Sequence, residues 1–191
     1  MKLGPTAAAL LLLLCACVSS RPDRFYVLSA QPPAAGATRS SPALQATLKA
    51  TLPSLVDRAE MVLNTSADGV TVLEHERWAA PLADLVTQTL ARDIERRRSD
   101  VLVGSYGLSH SIEPAIKISV DIVQVWMRRG ERASIETHWR ILDTRSGKQV
   151  TGGDIFSAAL GQEGYDAVAQ VFSECLGLLA DRLADQMPRA E

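Results

Sequence analysis

Three histidines invite a search for catalysis: His75, His110 and His138. A hydrolytic triad needs one of them beside a nucleophile and a carboxylate. Gly107-Leu108-Ser109-His110-Ser111 looks superficially like a nucleophile elbow, but Ser111 stands where that motif needs its second glycine. An envelope hydrolase using Ser109 or Ser111 with His110 is therefore disfavoured. Glu74-His75-Glu76 collects three potential metal ligands in a row. Neighbours on a strand point to opposite faces, so the three converge poorly on one ion, and the segment reads as a charged strand end. His138 alternates with apolar residues and is expected to face solvent. No metal-ligand spacing, phosphate-cradling glycine loop or carboxylate pair stands out. No catalytic residue, metal ligand or cofactor site is assigned.

The cysteines carry more information. Leu14-Cys15-Ala16-Cys17 follows an apolar run that begins at Ala7, with Lys2 supplying a positive start. That run is too short to span a bilayer, which takes about 20 apolar residues, and has the size of a signal-peptide core. The sequence at its end resembles a bacterial lipobox. Cys17 fits the acylated position because the small Ala16 precedes it, whereas Leu14 before Cys15 does not suit. An ordinary secretory signal with chance cysteines is the plainer alternative. The favoured division is residues 1–16 as signal, 17–24 as lipidated cysteine and tether, and 25–191 as one folded domain. The only cofactor expected is covalent: a diacylglycerol and an N-acyl chain on Cys17. Two or more chains anchor a protein stably, where one binds only marginally. Val18, rather than aspartate, follows the cysteine, and by resemblance to enterobacterial lipoproteins this favours the outer membrane. Only Cys175 remains in the mature chain, so no internal disulfide is expected and packing alone must hold the fold. The formal net charge of −2 gives no basic field for nucleic acid.

Phe25-Tyr26-Val27-Leu28 reads as a first strand and residues 31–42 as an irregular loop. A strand over 45–52 ends at Pro53. Met61–Asn64 and Val70–Leu73 flank Asp68-Gly69, a hairpin signal. Pro81 to Arg98 reads as a helix with Leu82, Leu85, Val86, Leu90 and Ile94 on one stripe. Val101–Val103 is a strand. Ile116, Ile118, Val120 and Ile122 alternate with polar residues, and then the phase slips so that Val123 and Val125 form the apolar set. A one-residue slip reverses the buried face, so a bulge is expected there. After a turn at Gly130, Ile135, Thr137, Trp139 and Ile141 alternate. A turn at Ser146-Gly147-Lys148 leads to a strand near Asp154–Ala158. The final helix spans about Gly164–Ala184, with Cys175 on its apolar stripe as an inert core residue. The expected fold is a single α+β domain: a largely antiparallel sheet with two amphipathic helices packed on it.

Two aromatics are candidate partner contacts. Trp78, in Arg77-Trp78-Ala79-Ala80-Pro81-Leu82, is either a core plug at the end of the sheet or an interface anchor. Trp126 falls outside the apolar set of its strand, beside Arg128 and Arg129. It either covers a second sheet face or meets a partner or lipid headgroups. Trp78, Trp126, Arg128 and Arg129 form the candidate interface.

The lipobox, Phe25-Tyr26-Val27-Leu28, the Arg77–Leu82 segment opening a long amphipathic helix, and a late strand-turn-strand before a C-terminal helix together resemble the ABC-type transport auxiliary lipoproteins. That family contains the lipoprotein of the Pqi system. The resemblance covers nearly the whole mature chain. It implies a non-enzymatic role at the outer membrane beside an ATP-driven permease and a protein of the mammalian-cell-entry (MCE) type, which move lipids or other hydrophobic compounds between the membranes. It also implies that copies of the chain form a homo-oligomer, a ring in the Pqi system. A lipoprotein subunit of another envelope assembly, for secretion, lipopolysaccharide export or a Tol-like system, is the alternative reading.

Overall fold

Alternation in the second half of the sequence builds the central sheet. The computed structural model describes residues 21–32, 44–105, 113–159 and 163–189. Its elements follow in the order β1 (Arg24–Tyr26), β2 (Leu44–Thr51), β3 (Glu60–Asn64), β4 (Val70–Trp78), α1 (Leu82–Arg97), β5 (Val101–Ser105), β6 (Ile116–Arg128), β7 (Arg132–Asp143), β8 (Gln149–Ala159) and α2 (Tyr165–Gln186). The chain is thus α+β, with two helices as expected. The sheet is the point of correction, because there are two and both are mixed. One runs β5-β2-β6-β7-β8 and the other β1-β4-β3. β2 lies parallel to both β5 and β6, and β1 parallel to β4, while the hairpin neighbours are antiparallel. Parallel partners are joined by long crossovers and leave no turn signature in the sequence.

Both helices pack on the five-stranded sheet, α1 over β2 and β5, α2 over β6, β7 and β8, and on each other. The stripes that face inward are those the spacing marks: Leu82, Val86, Leu90 and Ile94 on α1, and Val168, Phe172, Cys175, Leu176, Leu179 and Leu183 on α2, all buried. From the sheet come Ile116, Ile118, Val120, Ile122, Ile135, Thr137, Trp139 and Ile141. The opposite face is solvated and mostly polar, as is usual when only one side of a sheet is covered, with Leu102 and Ile155 exposed on it.

The phase slip resolves as a bulge. Ile122 pairs with Thr137 and Gln124 with Glu136, leaving Val123 outside the ladder. Val123 turns outward, and Val125 and Met127 resume the buried face. The extra residue therefore absorbs the slip, and Val123 does not join the apolar set. β2 ends opposite Asp121. Beyond it the end of β3 takes over, and Asn64 Oδ1 accepts the Met127 amide at 2.9 Å.

β8 begins at Gln149, earlier than expected, because Thr151-Gly152-Gly153 has poor strand propensity. The glycine there serves the neighbouring strand. A Cβ on Gly152 would lie 2.7 Å from Cε2 of the Trp139 indole, its register partner. Trp139 Nε1 donates to Asp154 Oδ2 at 3.0 Å. The two turns flanking β7 each use a glycine in the left-handed region, Gly130 at φ 76° and Gly147 at φ 72°.

Candidate docking surface

The N-terminal segment ties the two sheets to the helix pair. Tyr26 enters the core, where its hydroxyl donates to Glu76 Oε2 at 2.5 Å. Burial, and that hydrogen bond to a carboxylate, push the phenol up to about 12. Arg24 reaches the other Glu76 oxygen at 3.4 Å. Trp78, the register partner of Tyr26, packs against Phe172 of α2 with ring centroids 6.2 Å apart. Phe25 and Val27 alternate with these buried residues and so point out, 65% and 57% exposed.

After β1 the chain runs across the outer side of the helices. The Ser29 amide donates to Ser173 Oγ at 3.1 Å, and the Gln31 amide to Asp93 Oδ1 at 2.7 Å. Arg96 Nη1 donates to the carbonyls of Ala30 and Gln31 at 2.6 and 2.9 Å. Gly177 lets this crossing lie close, since a Cβ there would meet Gln31 Cγ at 2.8 Å. Asp93 is fully buried beneath it. Desolvation pushes its carboxyl up to about 6, against the opposing pull of the Gln31 amide and of Arg97 and Arg96. Arg97 bridges Asp93 Oδ1, at 3.3 Å, and Asp181 on α2. Asp93 Oδ2 has no hydrogen-bond partner among the described residues. An acid in an otherwise apolar stripe, one residue before Ile94, is the only sequence signal of this buried pin.

The candidate interface residues separate in space. Trp78 is 3% exposed and belongs to the core, so the plug reading holds and this side chain offers no surface. Trp126 is half-buried on the solvated sheet face, opposite Ser134. Arg128 pairs with Glu131 at 3.2 Å across the β6–β7 turn. Arg129 leaves that turn toward α2, its guanidinium 5.6 Å from the Tyr165 ring centroid. Trp126 and Arg128, two residues apart on β6, share the solvated sheet face, while Arg129 turns toward α2 and Trp78 lies in the core. Cys17 and the Ser109-His110-Ser111 segment lie outside the described residues.

The other sequence candidates are dispersed. Glu76 turns into the core while His75, on the opposite face, meets Asp23 at 3.0 Å. His138 is exposed, as its alternation requires. It lines a shallow basin of about 450 Å³ on the solvated sheet face, together with Lys49, Ser119, Asp121, Arg140 and Thr151. A groove of about 370 Å³ lies between Phe25–Gln31 and α2, with Asp166, Gln170 and Ser173 along its far wall. Burial pushes the Cys175 thiol up to about 11, which leaves it unreactive at neutral pH. Among the described residues no group of three or more His, Cys, Asp or Glu could hold a metal, and no helix is long and apolar enough to cross a membrane.

Among the described residues, His75, His138 and Cys175 stand apart from one another, and the most exposed apolar side chains of the N-terminal segment are Phe25 and Val27. Comparison with known proteins adds the following. The profile described as "ABC-type transport auxiliary lipoprotein component" matches residues 26–184. No curated protein is detectably similar in sequence. Among the solved structures that share the fold are two that cover most of this chain. One, of an uncharacterised protein, has a TM-score of 0.72 at 15% identity, covering 88% of this chain and 100% of its own. The other, a Xanthomonas campestris protein of family DUF330, has a TM-score of 0.67 at 15% identity, covering 84% of this chain and 92% of its own.

Proposed function

This chain belongs to the ABC-type transport auxiliary lipoprotein family, and from that premise we propose that it is a non-catalytic docking subunit held at the outer membrane by an acylated Cys17. In this reading it receives the MCE-type protein of an inner-membrane ABC transporter that moves lipids or other hydrophobic compounds between the membranes. The supporting observation is the family match, which runs from Tyr26 in β1 nearly to the end of α2 and begins nine residues after Cys17. Such a short tether keeps the domain beside its membrane, and a partner from the other membrane must come to it.

Crosslinking in intact cells followed by purification of the lipidated protein tests this. Recovery of an MCE-type protein is the expected result. Repeated recovery of a secretion, lipopolysaccharide-export or Tol-like component instead replaces the reading with the other envelope assemblies.

A further inference from the structure

We infer that the basin on the solvated face of the five-stranded sheet binds a phosphate ester that carries an ammonium group, phosphoethanolamine being the simplest case. The site is defined by its own side chains and does not depend on the transport partner proposed above.

Two rows of residues cross this face. In the first, Lys49 of β2, Ser119 of β6, Arg140 of β7 and Thr151 of β8 are successive register partners. In the second, two residues away along each strand, the order is Thr51, Asp121, His138 and Gly153. All are exposed. Asp121 and His138 are register partners, yet they turn apart. Thr51 Oγ1 donates to Asp121 Oδ1 at 2.6 Å and holds the carboxylate toward β2. His138 lies the other way, over the bare backbone of Gly153, where an added Cβ would come within 3.0 Å of its Cδ2. The basin of about 450 Å³ is lined by both rows.

The charges there are unspent. Lys49, His138 and Arg140 have no hydrogen bond or ion pair among the described residues. Arg24, Arg58, Arg97, Arg98 and Arg182, by contrast, each hold a carboxylate. Lys49 and Arg140 flank Ser119 from the strands on either side, about 10 Å apart at two strand spacings, so their long side chains can meet one anion above the serine hydroxyl. A phosphate suits this place, because its oxygens accept from an ammonium, a guanidinium and a hydroxyl together. A bare anion suits the second row poorly, since the Asp121 carboxylate stands only about 7 Å along the strand. An ammonium suits it well, because Thr51 engages Oδ1 of Asp121 and leaves Oδ2 to a ligand. A phosphate and an amine joined by a short link span the two rows and meet both signs of charge. The groups are solvated, so binding is weak and falls as salt rises. A lipid headgroup and a water-soluble ester share this chemistry.

The test follows amide chemical shifts of the full chain in neutral detergent micelles. O-Phosphoethanolamine is expected to shift residues 49–51, 119–121, 138–140 and 151–153 saturably, at lower concentration than inorganic phosphate or ethanolamine. Lys49→Gln and Arg140→Gln are each expected to weaken it about tenfold. Arg132→Gln, at the other end of β7 on the same face, is expected to leave it unchanged. Asp121→Asn is expected to abolish the preference over inorganic phosphate. Short-chain phosphatidylethanolamine added to the micelles identifies the source. Matching shifts assign the site to a lipid headgroup, and a response to the soluble ester alone assigns it to a water-soluble ligand. Absence of saturable shifts with both esters overturns the inference. Equal affinity for inorganic phosphate, an equal response to phosphatidylglycerol, which lacks the ammonium, or a preference that survives Asp121→Asn also overturns it, leaving an anion site only. A loss in Arg132→Gln as large as that in Arg140→Gln overturns it too, because overall charge would then account for the binding.

Discussion

Asp93→Asn isolates the effect of a carboxylate held beneath the N-terminal crossing. Asp93 is fully buried, and its carboxyl titrates at about 6 where an ordinary aspartate titrates at 3.8. The folded state therefore holds this proton over a range in which the unfolded chain has released it. Stability from this group is greatest below pH 3.8, falls as pH rises, and is fully lost above about 6. The difference between the two values corresponds to about 3 kcal/mol at neutral pH, at about 1.4 kcal/mol per pH unit. Asparagine has the shape of the protonated acid and keeps an oxygen for the Gln31 amide, while Arg97 retains Asp181. The variant should thus be more stable than the parent at pH 7.5, by up to about 3 kcal/mol, and by only about 1 kcal/mol at pH 4.5. Urea unfolding of both proteins at intervals between those values measures the difference directly, and other carboxylates cancel from it. A variant less stable than the parent at pH 7.5, or a difference that does not change with pH, refutes the reasoning. Asp93 would then act as an ordinary partner of Arg97, with the ion pair outweighing desolvation.

Other substitutions probe the packing. Phe172→Ala removes a fully buried ring from beside Trp78 and should cost about 3–5 kcal/mol, read by urea unfolding, with a red shift of indole emission as water reaches Trp78. Gly152→Ala drives a Cβ into the Trp139 indole and should cost about 1–3 kcal/mol, whereas alanine at a glycine with open space and no positive φ would not. Cys175 should resist thiol reagents at pH 8 in the folded protein and react only as urea unfolds it; rapid native labelling would contradict its burial.

What could be read from the sequence was whatever is local. The Asp68-Gly69 hairpin, the helix stripes and the bulge after Ile122 all follow from periodicity and turn chemistry within about 20 residues. The parallel pairs are different. Leu44 meets Val101 and Ala46 meets Ile116 across an intervening hairpin and helix, and no spacing rule connects them. Gly152 reads as a strand breaker until the indole of Trp139, on the next strand, explains it. Trp78 and Asp93 illustrate the same limit for the site. A tryptophan after two charged residues looks available for a partner, and an aspartate between Arg92 and Ile94 looks solvated. Both are covered by chain that is remote in sequence, Trp78 by α2 and Asp93 by Ala30 and Gln31. Phe25 was legible as a strand residue, whereas Val27 and Leu28 lie beyond the end of β1, and the exposure of Phe25 and Val27 was not legible because a three-residue strand gives too little alternation to choose its buried side.

β2 is an interior strand of the larger sheet, between β5 and β6, yet both of its partners are synthesised much later, β5 after α1 and β6 later still. No stable half-sheet can form around β2 while the first half of the chain alone is present. If residues 1–16 act as the proposed secretion signal, so that the chain threads through a channel with its N-terminus leading, this delay is useful. The early segment stays loose enough to be pulled through, and the sheet closes only once residues 116–121 have followed it across.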